Sequence, residues 1–172
     1  PFELTPDFVA DIHLQGGTAL GSSRGPQPPA VMTDTLVRLW VDVLFCVGGD
    51  GTLRGALALR EEILRRELRI AIVGVPKTID NDVPFIERTF GFETAVAEAS
   101  RAIAAAHIEA RGAPNGVGIV KLMGRHSGFI AASATLASGE VNLCLVPELP
   151  FELDGPRGVL ALLRERLGER GL

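Results

Sequence analysis

Val43-Leu44-Phe45-Cys46-Val47-Gly48-Gly49-Asp50-Gly51-Thr52 joins a short apolar run to a glycine-rich turn, and Ile70-Ala71-Ile72-Val73-Gly74-Val75-Pro76-Lys77-Thr78-Ile79-Asp80-Asn81-Asp82 repeats the arrangement with carboxylates. Short continuous apolar runs bounded by such turns read as strands of a parallel sheet, buried on both faces. In open α/β sheets, ligands gather beyond the carboxyl ends of the strands. One loop offers glycine backbone and a carboxylate; the other offers a hydroxyl and two closely spaced carboxylates. Together they suit phosphate, a divalent cation and a proton.

Working outward, 31–39 has helical periodicity with Val31, Thr35, Leu36 and Leu39 on one face. Residues 53–68 form a second amphipathic helix, with Leu57, Ile63 and Leu64 inward and a solvated run of Glu61, Glu62, Arg65, Arg66 and Glu67 outward. An Ala-rich helix over 92–110 is closed by Gly112-Ala113-Pro114-Asn115-Gly116, a stop-and-turn signal. A third strand is expected at 117–122, a helix of small residues at 129–137, a fourth strand at 141–146 and a last helix at 156–170. Residues 1–12 are weakly patterned, and 15–29 form a Gly/Ser/Pro-rich loop. The alternation predicts an α/β fold: a parallel sheet with helices on both faces, Rossmann-like and three-layered. There is no internal repeat or linker, so 1–172 reads as one domain.

Bulk properties agree. At 172 residues with 47% apolar content and 20 glycines, the chain suits one globular α/β domain, and 5% aromatic content leaves aliphatic side chains to dominate the core. A net charge of −4 gives no reason to expect nucleic acid or an acidic membrane surface as partner. No run approaches the ~20 apolar residues of a membrane span, and no secretory pattern opens the chain. Cys46 and Cys144 sit within apolar runs and read as buried, reduced thiols, which fits a cytoplasmic location.

Glycines at a strand-to-helix turn let backbone approach phosphate, and a following helix aims its N-terminal N–H groups at the anion. Asp50 adds a hard oxygen for Mg²⁺, which takes one or two carboxylates plus substrate phosphates. Neither a P-loop nor a dinucleotide fingerprint is present. The competing reading is a tight turn whose aspartate caps a helix starting near Leu53; on these five residues both stand. Asp80 and Asp82, with Thr78 upstream and Asn81 between them, cannot share one environment unless a cation or hydrogen bonds separate their roles. One could act as a base toward a hydroxyl. An Asx-turn explains Asn81-Asp82 but poorly explains the whole loop. Arg125, flanked by Gly124 and Gly128, could fork onto phosphoryl oxygens. Glu148 could accept from sugar hydroxyls or cap a helix, Arg24 could reach a second phosphate, and His126 reads as structural.

These blocks, with Met123-Gly124-Arg125, Pro147-Glu148 and Gly16-Gly17-Thr18-Ala19-Leu20-Gly21-Ser22-Ser23-Arg24-Gly25, closely resemble the phosphofructokinases in order and spacing across nearly the whole chain. A glycine-aspartate loop also occurs in NAD and diacylglycerol kinases; Thr-Ile-Asp-Asn-Asp followed by Met-Gly-Arg is far more specific. The resemblance implies one lobe of a two-lobe fold and transfer of a phosphoryl group to the 1-hydroxyl of fructose 6-phosphate. It makes Asp80 the base and Arg125 the group that stabilises transferring charge. Thr78, Ile79, Asp82, Met123, Gly124 and Glu148 line the sugar site. Asp50 holds Mg²⁺, and Arg24, Gly25, Gly49, Gly51 and Thr52 contact the donor.

The family divides by donor. Gly51 leaves room for the α-phosphate of a nucleotide where pyrophosphate users commonly carry a second aspartate, favouring ATP. Lys77 resembles pyrophosphate users, although members combining such a glycine and lysine resemble plant and protist ATP enzymes. Gly116 replaces the arginine with which many bacterial members reach a neighbouring subunit's sugar phosphate. The family's opening nucleotide loop and its second lobe have no counterpart in these residues. The resemblance therefore implies the donor-binding lobe of a chain about twice this length, homo-oligomeric when complete and inactive as an isolated segment. A non-catalytic regulatory lobe is the remaining alternative.

Overall fold

The computed structural model describes residues 2–22, 25 and 27–170. β1 (Val43–Gly48) and β2 (Ala71–Thr78) pair in parallel, in register from Val43 opposite Ala71 to Gly48 opposite Pro76. β3 (Phe90–Gly91) extends the sheet, pairing in parallel with Lys77 and Thr78 to give the order β1-β2-β3. The helices are α1 (Pro6–Val9), α2 (Pro29–Arg38), α3 (Asp50–Arg65), α4 (Phe92–Arg111), α5 (Phe129–Ser138) and α6 (Val159–Arg170). The parallel α/β fold is therefore the one expected. No described helix is long and apolar enough to cross a membrane.

Two apolar clusters hold the layers together. Leu36 of α2 packs with Leu59 and Ile63 of α3, and Leu44, Ile70 and Ile72 close the cluster from the sheet side. Phe92, Ala99 and Ile103 of α4 pack with Ile130 and Ala134 of α5, bordered by Ile79, Val120, Leu122 and Val141. Side chains alternate along a strand, so α2 and α3 cover the Leu44 and Ile72 face while Val43, Phe45, Val47 and Val73 remain exposed.

The inward faces differ from expectation. On α3 the buried positions are Ala56, Leu59 and Ile63, with Leu57 and Leu64 exposed; on α2 they are Thr33 and Leu36, with Val31 and Leu39 exposed. A 100° step per residue rotates those leucines off the stripe that faces the sheet. The segments 117–122 and 141–146 form no strand. Their apolar residues pack on α4 and α5, but apolar patterning reports burial and does not provide the row of backbone partners a strand requires. Cys144 is accordingly exposed, whereas Cys46 is half-buried and burial pushes its thiol pKa up; both thiols are free.

α2 and α3 end alike. Val41 N–H donates to Leu36 O and Trp40 N–H to Val37 O; Leu68 N–H donates to Ile63 O and Glu67 N–H to Leu64 O. These are Schellman closures, whose first residue past the cap is left-handed and favours glycine. Here those residues are Trp40 (φ 54°) and Glu67 (φ 55°). The next residues, Val41 and Leu68, fold back onto the α2–α3 cluster. The charged run on α3 is also more than a solvated face: Glu62 accepts from Arg65 (2.8 and 2.7 Å) and Arg66 (2.6 Å), and Arg66 reaches Asp34 and the Ala30 carbonyl on α2.

Glu67→Gly should stabilise the fold by about 0.5–1 kcal/mol, the left-handed cost less glycine's entropy, read as a higher urea midpoint; a lower midpoint would contradict the closure. The Arg65 and Arg66 hydrogen bonds lower the Glu62 pKa from 4.5 to about 2. A depressed folded pKa gives stability that is present above the unfolded value and lost as pH falls through the folded one. Stability should therefore fall more steeply between pH 4.5 and about 2 in the native chain than in Glu62→Gln, as followed by denaturant titration at each pH.

Candidate active site

Because Gly48 lies opposite Pro76, β1 and β2 deliver their loops to one edge of the sheet. A Cβ at Gly48 would sit 2.3 Å from Thr52 Oγ1, so that turn admits no side chain. Gly49 is the N-cap of α3 and no side chain caps the helix. The helix begins at Asp50 rather than near Leu53, so the carboxylate sits in the first turn instead of acting as the cap. Asp50 Oδ1 accepts a hydrogen bond from Arg54 Nε at 2.9 Å and Oδ2 lies 2.9 Å from Arg54 Nη2 in an ion pair on an exposed surface. The N–H groups at the start of α3 lack intrahelical acceptors and carry the positive end of the helix dipole. Space above Gly51 is open: a Cβ there would meet nothing within 4 Å.

The second loop touches the first. A Cβ at Gly49 would lie 3.3 Å from Thr78 Cβ. Thr78 Oγ1 accepts from Asp80 N–H at 3.2 Å, which leaves the hydroxyl proton free for a ligand oxygen. Asn81, left-handed at φ 54°, accepts from Thr89 N–H at 2.8 Å through Oδ1 and donates to Glu87 O at 3.1 Å, closing the excursion from 81 to 89. Thr89, 4% exposed, donates its hydroxyl to Thr78 O at 2.7 Å. Asp82 is exposed and borders an open concavity with Asn81, Val83, Glu87 and Phe129. Lys77 is exposed, and Ile79 packs against the α4–α5 cluster.

The third loop joins through Ser127, 7% exposed, whose Oγ donates to Asp80 O at 2.8 Å. Ser127 N–H closes a turn onto Gly124 O at 2.8 Å. Gly124 has φ 138°, and a Cβ there would strike Ser127 O at 2.1 Å, so glycine is required. Arg125 follows at φ 51°, exposed and without an ion pair among the described residues. A left-handed arginine is uncommon, and such strain concentrates at functional positions. Met123 is exposed. From the fourth loop, Glu148 Oε1 accepts from Gly128 N–H at 2.7 Å, at the N-terminus of α5. Helix capping is thus what one oxygen of Glu148 does.

Gly49, Thr78, Asp80, Ser127 and Glu148 are therefore linked across four loops, with Asp50 and Arg125 beside them in sequence. The described residues of the Gly/Ser-rich loop are not drawn in: the Thr18–Gly21 hydrogen bonds are local, and a Cβ at Gly25 would meet nothing within 4 Å. Arg24 lies outside the described residues. Sequence reasoning missed Thr89 and Ser127; the signal available was polar residues beside apolar helix starts. No cluster of three metal-ligating side chains occurs among the described residues. A single exposed carboxylate at a helix N-terminus nevertheless fits Mg²⁺, which keeps waters and takes most other ligands from substrate phosphates.

A glycine turn at a helix N-terminus, neighbouring carboxylates and a guanidinium without an ion pair among the described residues are groups suited to phosphate, carried on a parallel α/β fold. A profile of the family described as Phosphofructokinase matches residues 2–170. The chain belongs to the phosphofructokinase family. It is 54% identical over 171 residues to the ATP-dependent 6-phosphofructokinase of Borreliella burgdorferi, covering 99% of this chain and 38% of that one. It is 58% identical over 164 residues to the ATP-dependent 6-phosphofructokinase of Trypanosoma brucei brucei, covering 95% and 33%. Among solved structures, a pyrophosphate-dependent phosphofructokinase from Marinobacter aquaeolei superposes with a TM-score of 0.62 at 27% identity, covering 79% of this chain and 36% of that one. The chain thus spans about a third of the length of these curated relatives.

Proposed function

We propose that the full protein carrying these residues is a 6-phosphofructokinase, transferring a phosphoryl group from ATP to the 1-hydroxyl of fructose 6-phosphate and giving fructose 1,6-bisphosphate. The observation that carries this reading is the linkage of Gly49, Thr78, Asp80 and Ser127 at one sheet edge. Phosphoryl transfer is mainly positioning and charge stabilisation, and the loops offer the groups it needs. Asp80 takes the proton of the sugar hydroxyl. The free proton of the Thr78 hydroxyl donates to an oxygen near the transfer path, and Arg125 offsets charge on the moving group. Ile79, Met123, Gly124, Asp82 and the second oxygen of Glu148 shape the sugar site. Gly49, Gly51 and Thr52 present backbone to the donor phosphates, and the family resemblance assigns Arg24 and Gly25 to the same task. Asp50 would hold Mg²⁺, which supplies charge neutralisation on the phosphates when bound.

Open space above Gly51 supports a nucleotide donor, as do relatives named ATP-dependent. Lys77 and the pyrophosphate-dependent structural neighbour support pyrophosphate as the second reading. A cytoplasmic, glycolytic, homo-oligomeric enzyme completes the proposal, with neither nucleic acid nor membrane as partner.

In the full protein, Asp80→Asn should lower kcat by ~10²–10⁴, the usual contribution of a general base, in a coupled assay of fructose 1,6-bisphosphate formation. Turnover equal to the native enzyme would remove Asp80 from that role. Gly51→Asp should lower kcat/KM for ATP by about tenfold or more, equivalent to ~1.4 kcal/mol of crowding and charge repulsion at the α-phosphate, with pyrophosphate assayed in parallel. Native turnover with pyrophosphate and none with ATP would reverse the donor assignment.

A further inference from the structure

Asp80 lies in an irregular segment, where backbone freedom must be removed by specific contacts, yet a base must be held within about 0.5 Å of its working position. No ladder hydrogen bond is formed past Thr78 on this strand. What fixes the segment instead are two nearly buried hydroxyls from distant parts of the chain. Thr89 Oγ1 donates to the carbonyl of Thr78 at 2.7 Å, and Ser127 Oγ donates to the carbonyl of Asp80 itself at 2.8 Å. The two acceptors bracket the peptide groups that aim the Asp80 side chain.

The donors are well placed to resist water. Thr89 is 4% and Ser127 7% exposed, and every buried side-chain polar atom among the described residues has a partner. Thr89 is itself held, because its N–H donates to Asn81 Oδ1, so the latch closes on both sides of Asp80. Ser127 sits two residues beyond Arg125 in a turn fastened to Gly124. Its hydrogen bond therefore fixes the acidic loop relative to the arginine loop as well as fixing the loop itself.

We infer that Thr89 and Ser127 are positioning residues for the reaction, a two-point hydroxyl latch that holds Asp80 in register with Arg125. The inference rests on Asp80 acting as the base, and it assigns neither hydroxyl a contact with substrate. Removing either hydroxyl leaves Asp80 chemically intact but loosely aimed. The loss should then appear in kcat, because misplacement of about 1 Å can cost ~10²-fold, while binding of either substrate changes little.

The test uses the full protein with Thr89→Val, Ser127→Ala and Thr89→Ser, and with Asp80→Asn as control. Thr89→Val and Ser127→Ala should each lower kcat by about 10–100-fold, with KM for fructose 6-phosphate and for ATP within about threefold of native. Thr89→Ser, which keeps the hydroxyl, should recover kcat to within about threefold. Active-site titration separates a slower site from a smaller folded fraction. The latch is overturned if either hydroxyl deletion keeps kcat within twofold, if KM rises in step with the loss, if Thr89→Ser is as impaired as Thr89→Val, or if the loss is all folded fraction. Should a deletion not fold, Thr89→Cys and Ser127→Cys, which retain only a weak donor, must each lose at least about fivefold in kcat. If Asp80→Asn is inactive while the hydroxyl variants are normal, the latch fails and the enzyme assignment stands. If Asp80→Asn is fully active, the assignment of the base fails first.

Discussion

The parallel pairing of Gly48 with Pro76 sets where every candidate group can stand. Side chains and strand ends in a sheet are locked to register, and a slip of one residue would move the whole inward set to the other face. Leu44 and Ile72 would then turn away from Leu59 and Ile63, so burial of the α2–α3 cluster enforces the register. The same register brings Gly49 against Thr78. Core packing on one side of the sheet thereby determines loop contact at its edge, where a side chain at Gly48 would strike Thr52 in the turn that starts α3.

Beyond that edge the backbone is irregular, and hydrogen bonds from side chains replace the ladder. Asn81, Thr89 and Ser127 together satisfy backbone groups of Thr78, Asp80, Glu87 and Thr89. Such groups would otherwise cost about 1–3 kcal/mol each when buried without a partner. The left-handed residues at Asn81, Gly124 and Arg125 fall in these same loops. Strained conformations persist only where surrounding contacts over-determine them, and here the nearly buried hydroxyls and the α4–α5 cluster do so.

The fold was legible where apolar runs met a glycine turn. Strands near 43–47 and 70–74, and helices near 31–39, 92–110 and 129–137, correspond to β1, β2, α2, α4 and α5. The misses share one cause. Segments 117–122 and 141–146 have strand-like composition, but strand formation depends on a neighbour, and single-chain patterning does not reveal which neighbour is present. Leu57 and Leu64 were misjudged because a helix rich in leucine allows several stripes, and the sheet selects the one containing Ala56. Family membership was legible from the spacing of Asp80, Asp82 and Met123-Gly124-Arg125. Thr89 and Ser127 were not, because an isolated hydroxyl gains meaning only when its acceptor, 11 or 47 residues away, is known.

The edge of the sheet divides its groups into two kinds. Backbone around Asp80 is fixed by shielded hydrogen bonds, while the side chains of Asp50 and Arg125 are held weakly or not at all. Asp50 pairs with Arg54 on a surface where the arginine is 80% exposed, and such ion pairs contribute only about 0–1 kcal/mol. A cation or a phosphate could take either partner from the other at little cost. Arg125 has no competing pair to break among the described residues. Rigid placement of backbone with loosely committed charge is what the proposed site needs, because in phosphoryl transfer the charge to be met arrives with the ligand: the geometry is set beforehand, and Asp50 and Arg125 stay available for it.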